Sequence, residues 1–463
     1  MALDARTQTA VRAAWEALRP EITEKFETLF ACPELSCLEF RSAEVLADWL
    51  RAHGFEVEAG TAGIPTAFTA RFTSGSGPRI AILAEYDALP GLDNLAMPKR
   101  ASTGRLPGHG CGHNHIGPAN AAAAIAVAKV MAAGVLGGEI VVIGCPAEEI
   151  IWGKLALQAR GAFNGFDIVL TSHGDYQNGA LSRPCYAAAN GEFRFTGEAS
   201  HSGKMSARNA LSCTQTALAK VGSVLESEYE GLQFNYLFRF SGFAPGVIPD
   251  EVRIWCAVKH EDFDTMRAGY GRMESVFQDT AESFGVSLRS DLIAACRGYL
   301  PNDVVAGVLS EALAQVGPPA WSAGDLAYME ALSAACSPGE PFTLHRTLDY
   351  FDSGIDYYAQ DDGDISWQVP LGRVNWAYPD TVPIHHWAWT ALSGHPASYP
   401  GPLMASEALA LAAVELLVRP DLVATARDEL DQRTRQMHVP APEFGLFDVL
   451  TGQPEAFWDA SWT

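Results

Sequence analysis

The sequence has no CxxC pair, no internal repeat, no low-complexity tract and no stretch approaching the roughly 18 consecutive apolar residues of a membrane span. It is also poor in basic residues, and each absence excludes something. The nine cysteines (Cys32, Cys37, Cys111, Cys145, Cys185, Cys213, Cys256, Cys296 and Cys336) are mostly far apart and odd in number, which disfavours a disulfide framework and fits a reducing compartment. The amino-terminal stretch MALDARTQTAVRAAWEALRP lacks a basic region followed by an apolar run and a small-residue cleavage site. The expectation is a cytoplasmic protein with no membrane partner. Lys and Arg number 32 against 55 Asp and Glu, a formal net charge of -23. The excess is dispersed in short clusters such as Glu226, Glu228 and Glu230, so it describes an acidic surface and argues against nucleic acid as a partner.

What remains is a globular composition, 48% hydrophobic and 19% charged over 463 residues, long enough for two domains. Periodicity predicts one helix from about Ala5 to Leu29 and a second from Ala43 to His53. Thr66 to Phe72 alternates as a strand, and Arg79 to Ala84 is an apolar run suited to a strand covered on both faces and ending in Glu85-Tyr86-Asp87. A buried helix is predicted from Gly117 to Gly134. Apolar strands at Glu139 to Gly144 and Asp167 to Leu170 then run into Glu148-Glu149 and Thr171-Ser172-His173. Three strands ending in chemically capable residues is the pattern of an open α/β sheet. Between Tyr186 and Arg297 the order changes to strand (Ala189 to Phe195), helix (Ala207 to Glu226), two strands (Phe234 to Phe240, Glu251 to Val258), helix and strand (Val286 to Leu292). That is the β-α-β-β-α-β order of a ferredoxin-like unit, read as an insertion. Helices resume at Asp303 to Gln315 and Leu326 to Cys336, and a long final helix is expected near Leu403 to Leu417.

Gly108-His109-Gly110-Cys111-Gly112-His113-Asn114-His115 concentrates a thiol and several imidazoles on a glycine-rich segment. Read as an extended loop, alternate residues such as Cys111 and His113 would point into one site, where thiolate and neutral imidazole suit zinc and can hold manganese or cobalt. Glu148 and Glu149, read as the start of a helix, repel each other unless a cation or the helix dipole compensates. His173 follows an apolar strand at the same sheet edge.

The runs AEYDALPG, GHGCGHNHIG, GCPAEE with Gly153-Lys154, and SHG together resemble the amidohydrolase branch of the aminoacylase/carboxypeptidase metallohydrolase family, which includes hippurate and auxin-conjugate hydrolases. The resemblance extends over nearly the whole chain, through Thr196 to His201, Arg208 to Leu211 and Asp361 to Pro370 (DDGDISWQVP). It implies an α/β fold: a mixed-sheet, two-metal exopeptidase-like catalytic domain (1–186 and 299–463) with an inserted ferredoxin-like α+β lid and dimerisation domain (187–298). It implies two divalent ions per subunit, manganese or zinc with cobalt possible, held by Cys111, His113, Glu149, His173 and a late histidine. For the last, His385 is chosen, with His386 and His395 as competitors. Glu148 matches the family's general base. His201 matches a lid residue that reaches the neighbouring subunit's site and stabilises the oxyanion, which implies a homodimer through the lid.

The chain departs from the family at Ile150-Ile151-Trp152, bulkier than the usual glycine-rich run, and at Gly246, where the family has asparagine. Trp152, Arg208 and Asn209 are candidate substrate contacts, Arg208 because a guanidinium pairs bidentately with a carboxylate. The expected activity is hydrolysis of the amide of an N-acyl or N-aroyl amino acid or related small amide. Its rivals are hydrolytic deamination of an aromatic or amidine-like amine, motivated by Trp152 and Gly246, and a non-catalytic partner subunit.

Overall fold

The computed structural model describes residues 5–203, 208–437 and 439–459. Its centre is an eight-stranded mixed sheet in the spatial order Glu56–Ala59, Phe68–Ser74, Gly138–Cys145, Arg79–Glu85, Ile168–Asp175, Leu371–Ala377, Gly179–Leu181 and Asp349–Phe351. The four middle strands run parallel. They are buried on both faces, and their alternation divides the interior in two. Ile80, Ile82, Ile140, Val142 and Leu170 face one core, whereas Ala81, Leu83, Val141, Ile143 and Val169 face the other.

The first core lies under the helices His113–Ala132 and Pro400–Val418, whose small residues let them pack closely on the sheet and on each other. The segment Pro396–Val418 is long and apolar enough to cross a membrane, contrary to the sequence expectation, but 83% of its apolar window is buried inside the protein. It is a core helix, and it is not the last one: Pro420–Thr434 and two short helices follow. The predicted helix from Ala5 to Leu29 is two helices, Ala5–Glu16 and Arg19–Ala31. Pro20, at the start of the second, lacks the N–H that a continuous helix needs and suits a first turn instead.

A second, five-stranded antiparallel sheet has the order Gln233–Phe240, Glu251–His260, Ala187–Thr196, Ser287–Cys296 and Glu443–Phe444. The helices Ala210–Glu228 and Phe263–Phe284 cover one of its faces, packing on Val252, Ile254, Cys256 and Val258. The predicted helix start at Ala207 lies outside the described residues. The strand Glu443–Phe444 comes from far along the chain and was not anticipated. Around it, Gly445 donates its N–H to Ile293 O (2.9 Å), Trp458 donates to Ser36 O (2.8 Å) and Phe457 lies under the Arg239 guanidinium.

The Asp361-Asp362-Gly363-Asp364 turn joins the layers by charge. Asp361 takes Lys154 Nζ (2.5 Å), Asp364 takes Arg297 Nη1 (2.6 Å), and Asp362 takes Arg373 Nη2. All six side chains are buried. Gly363 is obligatory, since a Cβ there would lie 2.0 Å from Arg297 O. Breaking a buried pair strands its partner's charge, so Arg373→Met is expected to destabilise the fold by about 3–5 kcal/mol. The shift of the chemical unfolding midpoint measures it.

Candidate active site

The four parallel strands all deliver polar residues at their carboxyl ends. Arg79–Glu85 leads to Asp87, Gly138–Cys145 to the Glu148-Glu149 turn, Ile168–Asp175 carries His173, and Leu371–Ala377 leads to His385. Gly112 takes φ +86° and ends the loop, so His113 is the first residue of the long helix rather than part of an extended loop. The glutamate pair is not in a helix either. It occupies a tight turn between Ala147 (φ 57°) and Ile151 (φ 51°), and the helix begins only at Gly153. A side chain at Gly153 would meet Pro146 O at 1.7 Å, so this compact turn requires glycine. His385 also has a left-handed φ of 57°, and its N–H bonds Gly110 O (3.0 Å), tying its loop to that of Cys111. Non-glycine residues held in this region are strained by about 1–3 kcal/mol each, a cost that persists where the surroundings over-determine the backbone.

The structure brings Cys111, His113, Glu148, Glu149, His173 and His385 together. Donor atoms converge within 4.8 Å in three overlapping groups: Cys111, His113 and His173; Cys111, Glu149 and His385; His113, Glu148 and Glu149. His113 Nδ1 is 2.9 Å from Asp87 Oδ1, and a carboxylate only accepts, so the proton sits on Nδ1 and Nε2 is left as a lone pair. His173 Nδ1 likewise donates to Gly174 O (2.6 Å), leaving its Nε2 3.5 Å from Cys111 Sγ. His113 Nε2 lies 3.7 Å from Glu85, 3.7 Å from Glu148 and 3.9 Å from Glu149. Nε2 of His113, Oε1 of Glu149 and Oε2 of Glu85 are buried with no hydrogen-bond partner. Acceptor atoms left facing one another without a donor are the arrangement a cation satisfies, so the residues fit a metal centre.

Burial works to lower His113, but Cys111, Asp87 and Glu149 outweigh it and raise it well above the usual imidazole range, adding a proton on Nε2 that a bound cation would replace. Burial pushes Glu149 up to about 8 and, with Glu85 nearby, Glu148 well above the usual carboxylate range. Burial holds His173 down to about 3, which keeps it neutral and able to ligate. His385 lines the cavity and leaves 52% of its side chain accessible. Desolvation, with the charge of Lys259, lowers it to about 4.

Of the competing histidines, His386 caps the helix Trp387–Ser393, and His395 stacks on Tyr328 with ring centroids 3.6 Å apart. Neither joins the cluster. Trp152 does not reach the cavity. It is fully buried, packs against Phe444 and Phe447, and donates to Gly445 O (2.9 Å), so the bulk after the glutamate pair fills a core. Asn209 caps the helix Ala210–Glu228, and Arg208 pairs with Glu198 on the surface. His201 is exposed on the second sheet's side of the molecule and is not brought to the cluster of its own chain.

No family model matches the chain. It is 29% identical to a p-aminobenzoyl-glutamate hydrolase chain of Escherichia coli, covering 93% of this chain and 96% of the relative. It is 26% identical to the Xaa-Arg dipeptidase of Mus musculus, over 91% and 94%. Among solved structures, the YXEP protein of Bacillus subtilis, described as a dinuclear metal binding peptidase from the M20 family, superposes with a TM-score of 0.56 at 19% identity, covering 87% of this chain and 99% of that one. The aminobenzoyl-glutamate utilization protein from Klebsiella pneumoniae gives 0.59 at 16%, over 87% and 98%. Over nearly its whole length the chain is thus similar to a p-aminobenzoyl-glutamate hydrolase and a dipeptidase, in line with the resemblance carried by its motifs. It is a metal-dependent hydrolase.

Two residues of this amidohydrolase carry roles that the sequence reading did not assign. Asp87 accepts from His113 Nδ1, from Ser36 Oγ (2.8 Å) and from the Glu149 N–H (3.0 Å), so one carboxylate orients two donors of the cluster. Its position two residues past a buried strand, in AEYDALPG, was the available signal. Lys154, fully buried, bridges Glu85 (2.8 Å) and Asp361 (2.5 Å) behind the cluster. Burial works to raise Glu85, but the Lys154 ammonium outweighs it and holds that carboxyl at about 2. Residues that orient a ligating histidine are worth roughly 10–100-fold in metal affinity. Asp87→Asn is expected to weaken metal binding by that factor with the fold intact, read by titration with manganese or zinc in a calorimeter.

Proposed function

We propose that this amidohydrolase cleaves the amide joining an acyl or aroyl group to an amino acid or small amine. The observation that carries the reading is the convergence of Glu148 with five metal-type donors, of which all but the buried His113 line one cavity of about 1180 Å³, large enough for such a substrate. Cys111, His113, Glu149, His173 and His385 would hold two divalent ions, manganese or zinc, with cobalt compatible with the same donors. When bound, the metal supplies Lewis acidity toward the substrate carbonyl and lowers the pKa of water toward neutrality. Glu148 takes the proton of the attacking water on its carboxylate and returns it to the leaving nitrogen. Relatives named for p-aminobenzoyl-glutamate and for Xaa-Arg dipeptides support an amino acid on the nitrogen side. The deamination reading loses a main motive with Trp152 in the core.

We divide the chain into a catalytic domain (1–186 and 299–463) and an inserted ferredoxin-like lid (187–298). The lid's order of strands, with two helices on one face, supports this. Its edge strand Gln233–Phe240 exposes Tyr236 and Phe238 beside Phe243, which is 90% exposed. An uncovered aromatic edge is a pairing surface, and we assign it to a homodimer that carries His201 to the partner's oxyanion. Arg208 and Asn209 stay assigned to the substrate side of that same interface. All nine cysteines are free, which supports the cytoplasm as the compartment.

Glu148→Gln is expected to lower kcat for N-benzoyl amino acids by roughly 10²–10⁴-fold while metal content, measured by elemental analysis, stays unchanged. Chelation should abolish hydrolysis and added manganese or zinc restore it. Ammonia released without a carboxylic acid would overturn the amide assignment. Light scattering should give a dimer, and Phe238→Asp a monomer with hydrolysis lost; a monomeric parent protein would refute the interface.

A further inference from the structure

The face of the second sheet that its helices leave uncovered roofs the cavity. On the strand Glu251–His260, alternate residues Val252, Ile254, Cys256 and Val258 face the helices, so Trp255, Ala257 and Lys259 face the other way. These three line the cavity together with Asn190 and Asn235 of the neighbouring strands. The register places Asn190 and Asn235 both opposite Ala257.

Lys259 stands out among the cations of this wall. Arg183 is paired with Asp356 (2.6 Å) and His345 with Asp349 (2.7 Å). The acidic side chains around the opening are also engaged: Asp175 accepts from Asn375 (2.7 Å) and from the Tyr176 N–H (2.6 Å), and Asp380 accepts from Thr343. Lys259 itself makes no ion pair and no side-chain hydrogen bond among the described residues, although it is half-buried in the cavity wall and close enough to bear on the charge of His385. A half-enclosed ammonium without a counterion, beside a cluster of donors, is placed to receive an anion from the substrate.

We propose that Lys259 binds the carboxylate of the substrate's amino-acid half, making it a specificity-determining residue that selects N-acyl amino acids over uncharged amides. Along the strand, Trp255 lies four residues away, about 13 Å at ~3.3 Å per residue. That is the length scale of an aroyl amino acid, with the aromatic end toward Trp255 and Trp458 and the scissile bond over the cluster between. This inference rests on the amide-hydrolase reading and deepens it.

The test compares N-benzoylglycine with its neutral amide, N-benzoylglycinamide, in the full-length protein and in Lys259→Met and Lys259→Arg. The parent enzyme is expected to favour the acid. Lys259→Met should lose roughly 10- to 100-fold in kcat/KM for the acid, mainly through KM, and keep its rate on the amide, which also reports that the variant is folded. Lys259→Arg should recover part of the preference. Calorimetric binding of the same two compounds to metal-free protein gives a second readout that requires no turnover, with tighter binding of the acid expected only where the cation is present. Absence of hydrolysis in the parent protein would count against the amide-hydrolase reading alone. Equal losses on both compounds, or an undiminished preference for the acid in Lys259→Met by either readout, would overturn the assignment to Lys259.

Discussion

Concentrating carboxylates in a dry interior is the central difficulty of this molecule, and Lys154 is the residue that resolves it. Glu85, Glu148, Glu149 and Asp361 lie close together below the cavity. An isolated buried carboxylate costs so much that it takes up a proton instead of staying charged. Lys154 holds two of these groups at hydrogen-bond distance from its rear position, Glu85 at 2.8 Å and Asp361 at 2.5 Å, and leaves the front of the cluster to the metal. Charge on the hidden side is therefore settled by the protein, whereas charge on the open side is settled by what binds. The turn carrying Asp361 repeats the device with Arg373 and Arg297, so the same segment that backs the cluster also clamps the sheet to its surrounding layers.

The sheet converts this arrangement into a site. Four parallel strands, buried on both faces, end at one level, and the turns that leave them are too short to wander. Backbone strain at Ala147, Ile151 and His385 falls on these turns, where tight packing and bonds such as that from His385 N–H to Gly110 O hold it in place. Asp87 then aligns one imidazole and one carboxylate from two different turns. Reading from strand to turn to hydrogen bond, each level limits the next.

The features that could be read in the sequence were those written locally. Two-sided burial of the central strands shows in runs such as RIAILA and EIVVIG, and the order of elements between Ala187 and Cys296 shows in their periodicity. The glycine-rich loop and the glutamate pair announced the cluster because unusual residue types stood side by side. Interactions between distant positions left no such trace. Lys154 meets Asp361 across 207 positions, so neither DDGD nor GK declares its partner. His385 and His386 are neighbours in sequence, and only the left-handed turn at the first and the capping role of the second separate them. Trp152 looked like a cavity residue because it follows the glutamates, but the turn at Ile151 sends it into the opposite core.

The short strand Glu443–Phe444 bears on how the roof can move. The second sheet, which we assign to an inserted unit, is joined to the first layer by two crossings of the chain, before Ala187 and after Cys296. Here a later segment returns to the outer edge of the second sheet, next to Ser287–Cys296, and the residues after it are anchored to the first layer through Ser36. This third, off-axis attachment works as a stay on a hinged panel: rotation that lifts the roof must stretch it or peel it away. The height of the sheet above the cluster, and so the length of molecule that fits between them, is thereby set by a segment that contributes almost nothing to the cluster itself.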